Sequence, residues 1–239
     1  MARKSSRRKS APSASGAGKA SAPASGRDAI VAAFMSLLAE QPIERIGFAD
    51  IADRAGISLA ELRDAFGSRL AILGVHIKSI DRKVLAGSDA DMDDEPPRER
   101  LFDVMMRRLE TLAPYKETIR SLLRSASCNP GLALALNGFA VRSQQWMLSA
   151  ANINAAGPKG VLRAQGLALL YAHVLRVWLD DDDPGLARTM AALDRELARG
   201  QRWSGFLDDL CGIPARLARC GRPSRGRRRD HDDREHAAA

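Results

Sequence analysis

Scarcity sets the first limits. Three cysteines, Cys128, Cys211 and Cys220, are spread over 239 residues, too few and too irregular for a disulfide scaffold. None forms the C-x-x-C pair that holds zinc. A reducing interior is the expected compartment, so the chain reads as cytoplasmic. Aromatic residues make up 5% of the chain, and no uninterrupted apolar run reaches the roughly 18 residues that a membrane-spanning helix needs. No strand pattern of convincing length and no repeat at a fixed period occur. Catalytic constellations are missing too: there is no phosphate-cradling glycine loop, and Cys128 has no base placed beside it by spacing. What remains is ordinary for a soluble folded chain, with 45% hydrophobic and 28% charged residues, enough to bury a core.

A net charge of +8 suggests nucleic acid as a partner, but the charge is unevenly placed. Residues 1–27 carry seven Lys/Arg and no acid, and residues 216–239 carry eight Arg and four acids, which gives +7 and +4. The stretch between them, 28–215, has 22 basic and 25 acidic residues and a net charge of −3. Residues 1–27 consist of Ala, Ser, Gly, Pro, Lys and Arg with Met1 as the only larger apolar side chain, a composition unable to offset the entropy of ordering. They read as a disordered basic arm. They lack the apolar core of a secretory signal and the Leu, Ile or Phe of an amphipathic targeting helix. The 216–239 tail reads as disordered and basic as well.

Between the tails the periodicity is helical. Asp28 precedes Ile30, Ala33, Phe34, Leu37 and Leu38 on one face, and Pro42 stops the pattern. A short helix over Phe48–Ala55 ends at Gly56, suited to a left-handed turn. Ser58-x-x-Glu61 is a capping box opening a third helix to about Phe66, and Ser68 opens a fourth that ends near Gly87. The acidic stretch Asp89–Glu95 with Pro96-Pro97 reads as a hinge between a head, 28–87, and a second helical domain, 96–210. In the latter, Leu101, Met105, Leu109 and Leu112 begin the apolar pattern, 152–160 reads as loop, and Val161–Leu179 is near-continuously apolar. Asp183 with Pro184 is expected to cap a last helix bearing Leu186, Met190, Leu193 and Leu197. Four consecutive aspartates, 180–183, lack the alternation and glycine of a calcium loop, so they read as capping residues and no metal is assigned.

The segment Ile51-Ala52-Asp53-Arg54-Ala55-Gly56-Ile57-Ser58, followed by Leu62 and Phe66, has the layout of a helix-turn-helix. Ala52 permits close crossing, Gly56 turns, Ile57 plugs the space between the helices, and Leu62 and Phe66 anchor the second helix. With Phe34, Leu37 and Leu38 ahead and Phe66-Gly67-Ser68-Arg69-Leu70-Ala71-Ile72-Leu73 behind, residues 27–80 closely resemble the N-terminal domain of TetR-family transcriptional regulators. That resemblance implies an all-α homodimer with a three- or four-helix head, and a C-terminal helical domain that pairs subunits and binds a ligand. It implies double-stranded DNA as partner, with Ser58, Leu59, Ala60, Glu61, Arg63, Asp64, Ser68 and Arg69 as the DNA-binding residues. It implies no enzyme activity and no cofactor. Phe48 and Arg63 stand where family members usually carry a small hydroxyl residue and an aromatic one, both used on phosphates. The head, 28–87, has seven basic and eight acidic residues, a poor footprint for a duplex, so the basic arm is expected to assist binding.

Trp146-Met147-Leu148, Leu169-Leu170-Tyr171 and Trp178-Leu179-Asp180-Asp181-Asp182-Asp183-Pro184 make residues 98–203 similar to the C-terminal domain of the ubiquinone-biosynthesis lipid-binding protein that shares the TetR fold. That similarity implies an alternative, an isoprenoid- or quinone-binding protein without DNA binding, attached to membranes by an amphipathic segment at 204–218. Met105, Trp146, Met147, Tyr171, His173 and Trp178 are the candidate lining of an apolar small-molecule or lipid site.

Overall fold

A computed structural model of the chain describes residues 26–87 and 94–200. Residues 1–25 of the basic arm, the 216–239 tail, most of the acidic hinge and the 204–218 segment lie outside those residues, whereas Gly26 and Arg27, expected in the arm, start the first helix. The described part is all helical, with the fold order α1 (Gly26–Glu40), a short turn at Ile43–Arg45, α2 (Phe48–Ala55), α3 (Leu59–Ala65) and α4 (Arg69–Ala86) in the head. It continues with α5 (Pro97–Leu112), α6 (Lys116–Cys128), α7 (Pro130–Ala150) and α8 (Gly157–Leu179), and then α9 over 187–200.

Two apolar cores result. The head core gathers Ile30, Phe34, Leu38, Ile51, Leu62, Phe66, Ile72 and Leu73, and it takes Leu122 from α6 and Leu132 from α7. The body core gathers Leu101, Met105, Leu109, Met147, Tyr171, Val174, Trp178 and Leu193, and it takes Ile80 and Val84 from α4. Thus α4 runs through both cores, and the expected boundary at residue 87 divides the sequence without dividing the packing. Where α4 crosses α7 the space is tight: a Cβ at Gly74 would sit 3.0 Å from the Phe139 ring. Contacts to α1 carbonyls fix α6 against the head, with the Thr118 hydroxyl donating to Met35 O at 3.1 Å and Ser121 to Gln41 O at 3.3 Å. Helices α4 and α6 therefore join the packing of the head to that of the body.

Helix starts depart from the sequence expectation in informative ways. The first helix begins at Gly26, so Asp28 lies inside its first turn, where a carboxylate suits the helix dipole. The apolar helix expected from Val161 starts at Gly157, and the preceding loop is correspondingly shorter. Gly160 is required there, because a Cβ would fall 2.1 Å from the Ala155 carbonyl. At the last helix, Leu186 adopts φ 51° and lies outside the helix, with Pro184 in the turn before it. Asp183 accepts from Gly185 N at 3.2 Å and Ala187 N at 3.2 Å, while Asp181 reaches farther, accepting from Thr189 N at 2.9 Å and Thr189 Oγ1 at 2.6 Å. These bonds draw the Asp181 carboxyl below the usual carboxylate range, the Thr189 hydroxyl contributing most. Two of the four aspartates thus organise the entry to α9 by accepting backbone hydrogen bonds.

Candidate nucleic-acid interface

The turn between α2 and α3 is built locally. Gly56 adopts φ 69°, the left-handed conformation that L side chains rarely take. Its N–H donates to Asp53 O at 3.2 Å, and the next amide, Ile57, donates to Ala52 O at 3.0 Å, which closes the end of α2. Ser58 then opens α3. Its hydroxyl accepts from Glu61 N at 3.2 Å and donates to Glu61 Oε2 at 2.7 Å, while Ser58 N donates to the same carboxylate oxygen at 2.8 Å. The backbone N–H and the hydroxyl of Ser58 hold the Glu61 carboxyl below its ordinary range. Ala52 and Leu62 are buried between the helices and Ile51 is fully enclosed. This is the geometry of a helix-turn-helix.

Of the eight residues expected at the DNA surface, the structure divides the set. Ser58 and Glu61 are occupied with each other in the capping box. Ser68 accepts from Ala71 N at 3.1 Å and so caps α4. Arg69 turns inward, donating through Nη1 to Ile43 O at 2.5 Å and Ile46 O at 2.7 Å, which pins the start of α4 to the turn before α2. Leu59, Ala60, Arg63 and Asp64 remain on the exposed surface. Arg63 makes a long 3.4 Å hydrogen bond to Gly67 O. Arg54 was not singled out from the sequence, yet it matters to the shape. Its Nη1 and Nη2 donate to the two Glu40 carboxylate oxygens at 2.8 Å each, and Nη1 also donates to Ser36 Oγ at 2.9 Å, tying α2 to α1. Phe48 stands 46% exposed at the start of α2, an apolar side chain where a phosphate donor is expected.

In the body, the residues expected to line a ligand site separate. Met105, Met147, Tyr171 and Trp178 are packed into the body core, whereas Trp146 is 57% exposed and His173 faces outward. Trp146 instead borders a shallow surface groove of about 690 Å³ with Gln145, Ser149, Asn152, Ile153 and Asn154. The core also holds a buried polar node that the reading of the sequence did not single out. Arg108 on α5 donates to the Asp81 carboxylate on α4, and Ser143 on α7 donates to the same oxygen at 2.7 Å. The Arg108 guanidinium lies 5.7 Å from the ring centroid of Tyr171 on α8, and burial pushes the Tyr171 phenol up to about 12. His76 on α4, packed edge-on to Tyr115 with ring centroids 4.4 Å apart, is pushed down to about 4, by burial first and by Lys83 second, so it is neutral at pH 7. Charges inside apolar stripes were the available signal: Asp81 between Ile80 and Val84, and Arg108 between Met105 and Leu109. Among the described residues no group of three or more His, Cys, Asp or Glu is placed to hold a metal ion, and no helix is long and apolar enough to cross a membrane.

This combination defines an all-α protein with a helix-turn-helix head carried on a helical body. No family model and no curated protein matches the sequence. Solved structures do match the fold. A TetR transcriptional regulator from Nitrosomonas europaea superposes with a TM-score of 0.58 at 24% identity, covering 73% of this chain and 97% of that one. A TetR transcriptional regulator from a Rhodococcus species gives a TM-score of 0.53 at 20% identity, covering 73% of this chain and 95% of that one. The chain has the fold of TetR-family transcriptional regulators.

Proposed function

We propose that this chain is a TetR-like transcriptional regulator: a homodimer that binds a short palindromic operator through α3 and releases it when an apolar ligand enters the helical body. The observation that carries the reading is the recognition helix itself. It is held in helix-turn-helix geometry by Gly56, Ile57 and the Ser58–Glu61 box, with Leu59, Ala60, Arg63 and Asp64 free on its outer surface. Support for pairing comes from α8, where Leu162, Gly166, Leu169 and His173 lie exposed at alternating four- and three-residue spacing, a stripe that suits a second helix. Leu162 is 51% and Leu169 62% exposed, and two leucines on one face two turns apart form an apolar stripe rather than a single exposed side chain. Movement within the body would reach the heads through α4, which belongs to both cores.

The test is a salt-titrated mobility-shift assay with the full chain on genomic fragments, including the DNA upstream of its own coding sequence. A fragment bound better than random duplex, with an even number of chains per site, supports the regulator. Absence of any such fragment at low salt refutes it.

A further inference from the structure

We propose that α3 reads its half-site chiefly through apolar contact: Leu59 and Ala60 pack on thymine methyl groups, Arg63 pairs with one guanine, and Asp64 suppresses binding to unrelated duplex. This rests on the regulator reading above and specifies the DNA that such a head selects.

The assignment follows from what each polar side chain is already doing. Ser58 and Glu61 bond one another at the start of α3, and the two bonds to Glu61 Oε2 hold that side chain back against the helix end instead of extended toward a base. Arg69 spends its guanidinium on the Ile43 and Ile46 carbonyls, and Arg54 on Glu40 and Ser36. Two of the head's cations are thereby withdrawn from phosphates. On α3, Leu62 marks the buried side. At about 100° per residue, Ala60 and Asp64 lie nearly opposite it, and Leu59 and Arg63 stack one turn apart on the adjoining flank. Leu59 is 55% exposed. The apolar group that a base pair displays in the major groove is the thymine C5-methyl, and the acceptor pair that suits a guanidinium is guanine O6 and N7. Arg63 is free to reach it, since its hydrogen bond to Gly67 O sits at 3.4 Å, the long limit of such bonds. Asp64 has the wrong sign for the phosphate backbone. On the outermost face of the helix it repels any duplex that does not repay it with base contacts, a repulsive element that raises specificity at the cost of affinity.

The experiment is selection from a randomised duplex library by the full chain, repeated with three exposed-surface variants. The wild type is expected to enrich an inverted repeat whose half-site places thymines beside one guanine. Arg63→Ala should erase the guanine and weaken the selected site by about tenfold or more. Leu59→Ser should erase the thymine preference. Asp64→Asn should keep the motif yet raise affinity for random duplex more than for the selected site, shrinking their ratio. A motif without the thymines or the guanine, a motif that Arg63→Ala leaves intact, or an Asp64→Asn ratio that does not fall would overturn the inference while the regulator stands. Enrichment of no motif at all would overturn the regulator reading itself.

Discussion

Head and body solve the same packing problem in opposite ways. The head fills its core with apolar residues, leaves Phe48 46% and Leu59 55% exposed, and places Ser58, Glu61, Ser68 and Arg69 at helix ends, where they satisfy backbone groups that the helices leave open. The body puts an ion pair, Asp81–Arg108, into its core and leaves Leu134 73% exposed, Trp146 57% exposed and Leu169 62% exposed outside. The proposed reading gives the exposed leucines of each half a different partner: Leu59 on α3 the DNA, and Leu162 and Leu169 on α8 a second chain.

Four measurements press on that contrast. Removing one member of the buried pair has the largest expected effect. Arg108→Ala leaves the Asp81 carboxylate enclosed with only Ser143 beside it and should cost about 3–5 kcal/mol in urea unfolding, whereas replacing both partners together with apolar residues should restore much of the loss. A double variant as unstable as the single one would show that the ion pair itself, and not the orphaned charge, matters. In the head, Leu62→Ala opens a cavity in a purely apolar site and should cost about 2–4 kcal/mol. Because Leu122 and Leu132 of the body close the head core, the variant should lower a single unfolding transition; separate melting of the head would contradict the shared packing. On the body surface, Leu162→Lys with Leu169→Lys should weaken the proposed self-association by about 1–2 kcal/mol per leucine, since each is about half exposed, and leave monomer stability nearly unchanged. Sedimentation showing an unaltered dimer would move the interface away from α8. The smallest effect is on acid stability. Asp181 titrates below the ordinary range in the folded chain, so its contribution is full above its unfolded value and is lost as pH falls through the folded one. Asp181→Asn should flatten the stability profile on the acid side of neutrality; an unchanged profile would mean the Thr189 bonds do not depend on the charge.

The head was the readable half, and the reasons are local. Gly56, the Ser58–Glu61 box and the Ser68 cap are set by residues within a few positions of one another, so a sequence shows them directly. The outcome of those same residues was less visible: the box ties the exposed Glu61 carboxylate back to Ser58, and Arg69 finds Ile43 and Ile46 through a fold that spacing does not display. In the body, helices α5 to α8 could be read from apolar periodicity, whereas their mutual faces could not. Trp146 and Met147 are neighbours, and successive residues on a helix point about 100° apart, so one is exposed while the other is buried. Asp81 and Arg108 meet from different helices, 27 positions apart, with a charge in each apolar stripe as their only trace. The start of α9 defied expectation for a related reason: Asp181 caps Thr189 eight residues on, across a turn in which Leu186 takes a left-handed conformation.

The overall charge also reads differently once the fold is known. The head's own cations are few, and Arg54 and Arg69 are engaged within the protein, so the DNA binding proposed above is expected to draw on base contacts and on the basic charge of residues 1–27. The central claim is therefore one of specificity, and the ratio of dissociation constants for the best genomic fragment and a scrambled duplex of equal length, measured with the full chain at one fixed salt concentration, tests it most directly. The account predicts a ratio of about a thousand or more, as sequence-reading proteins reach; a ratio near one would contradict it.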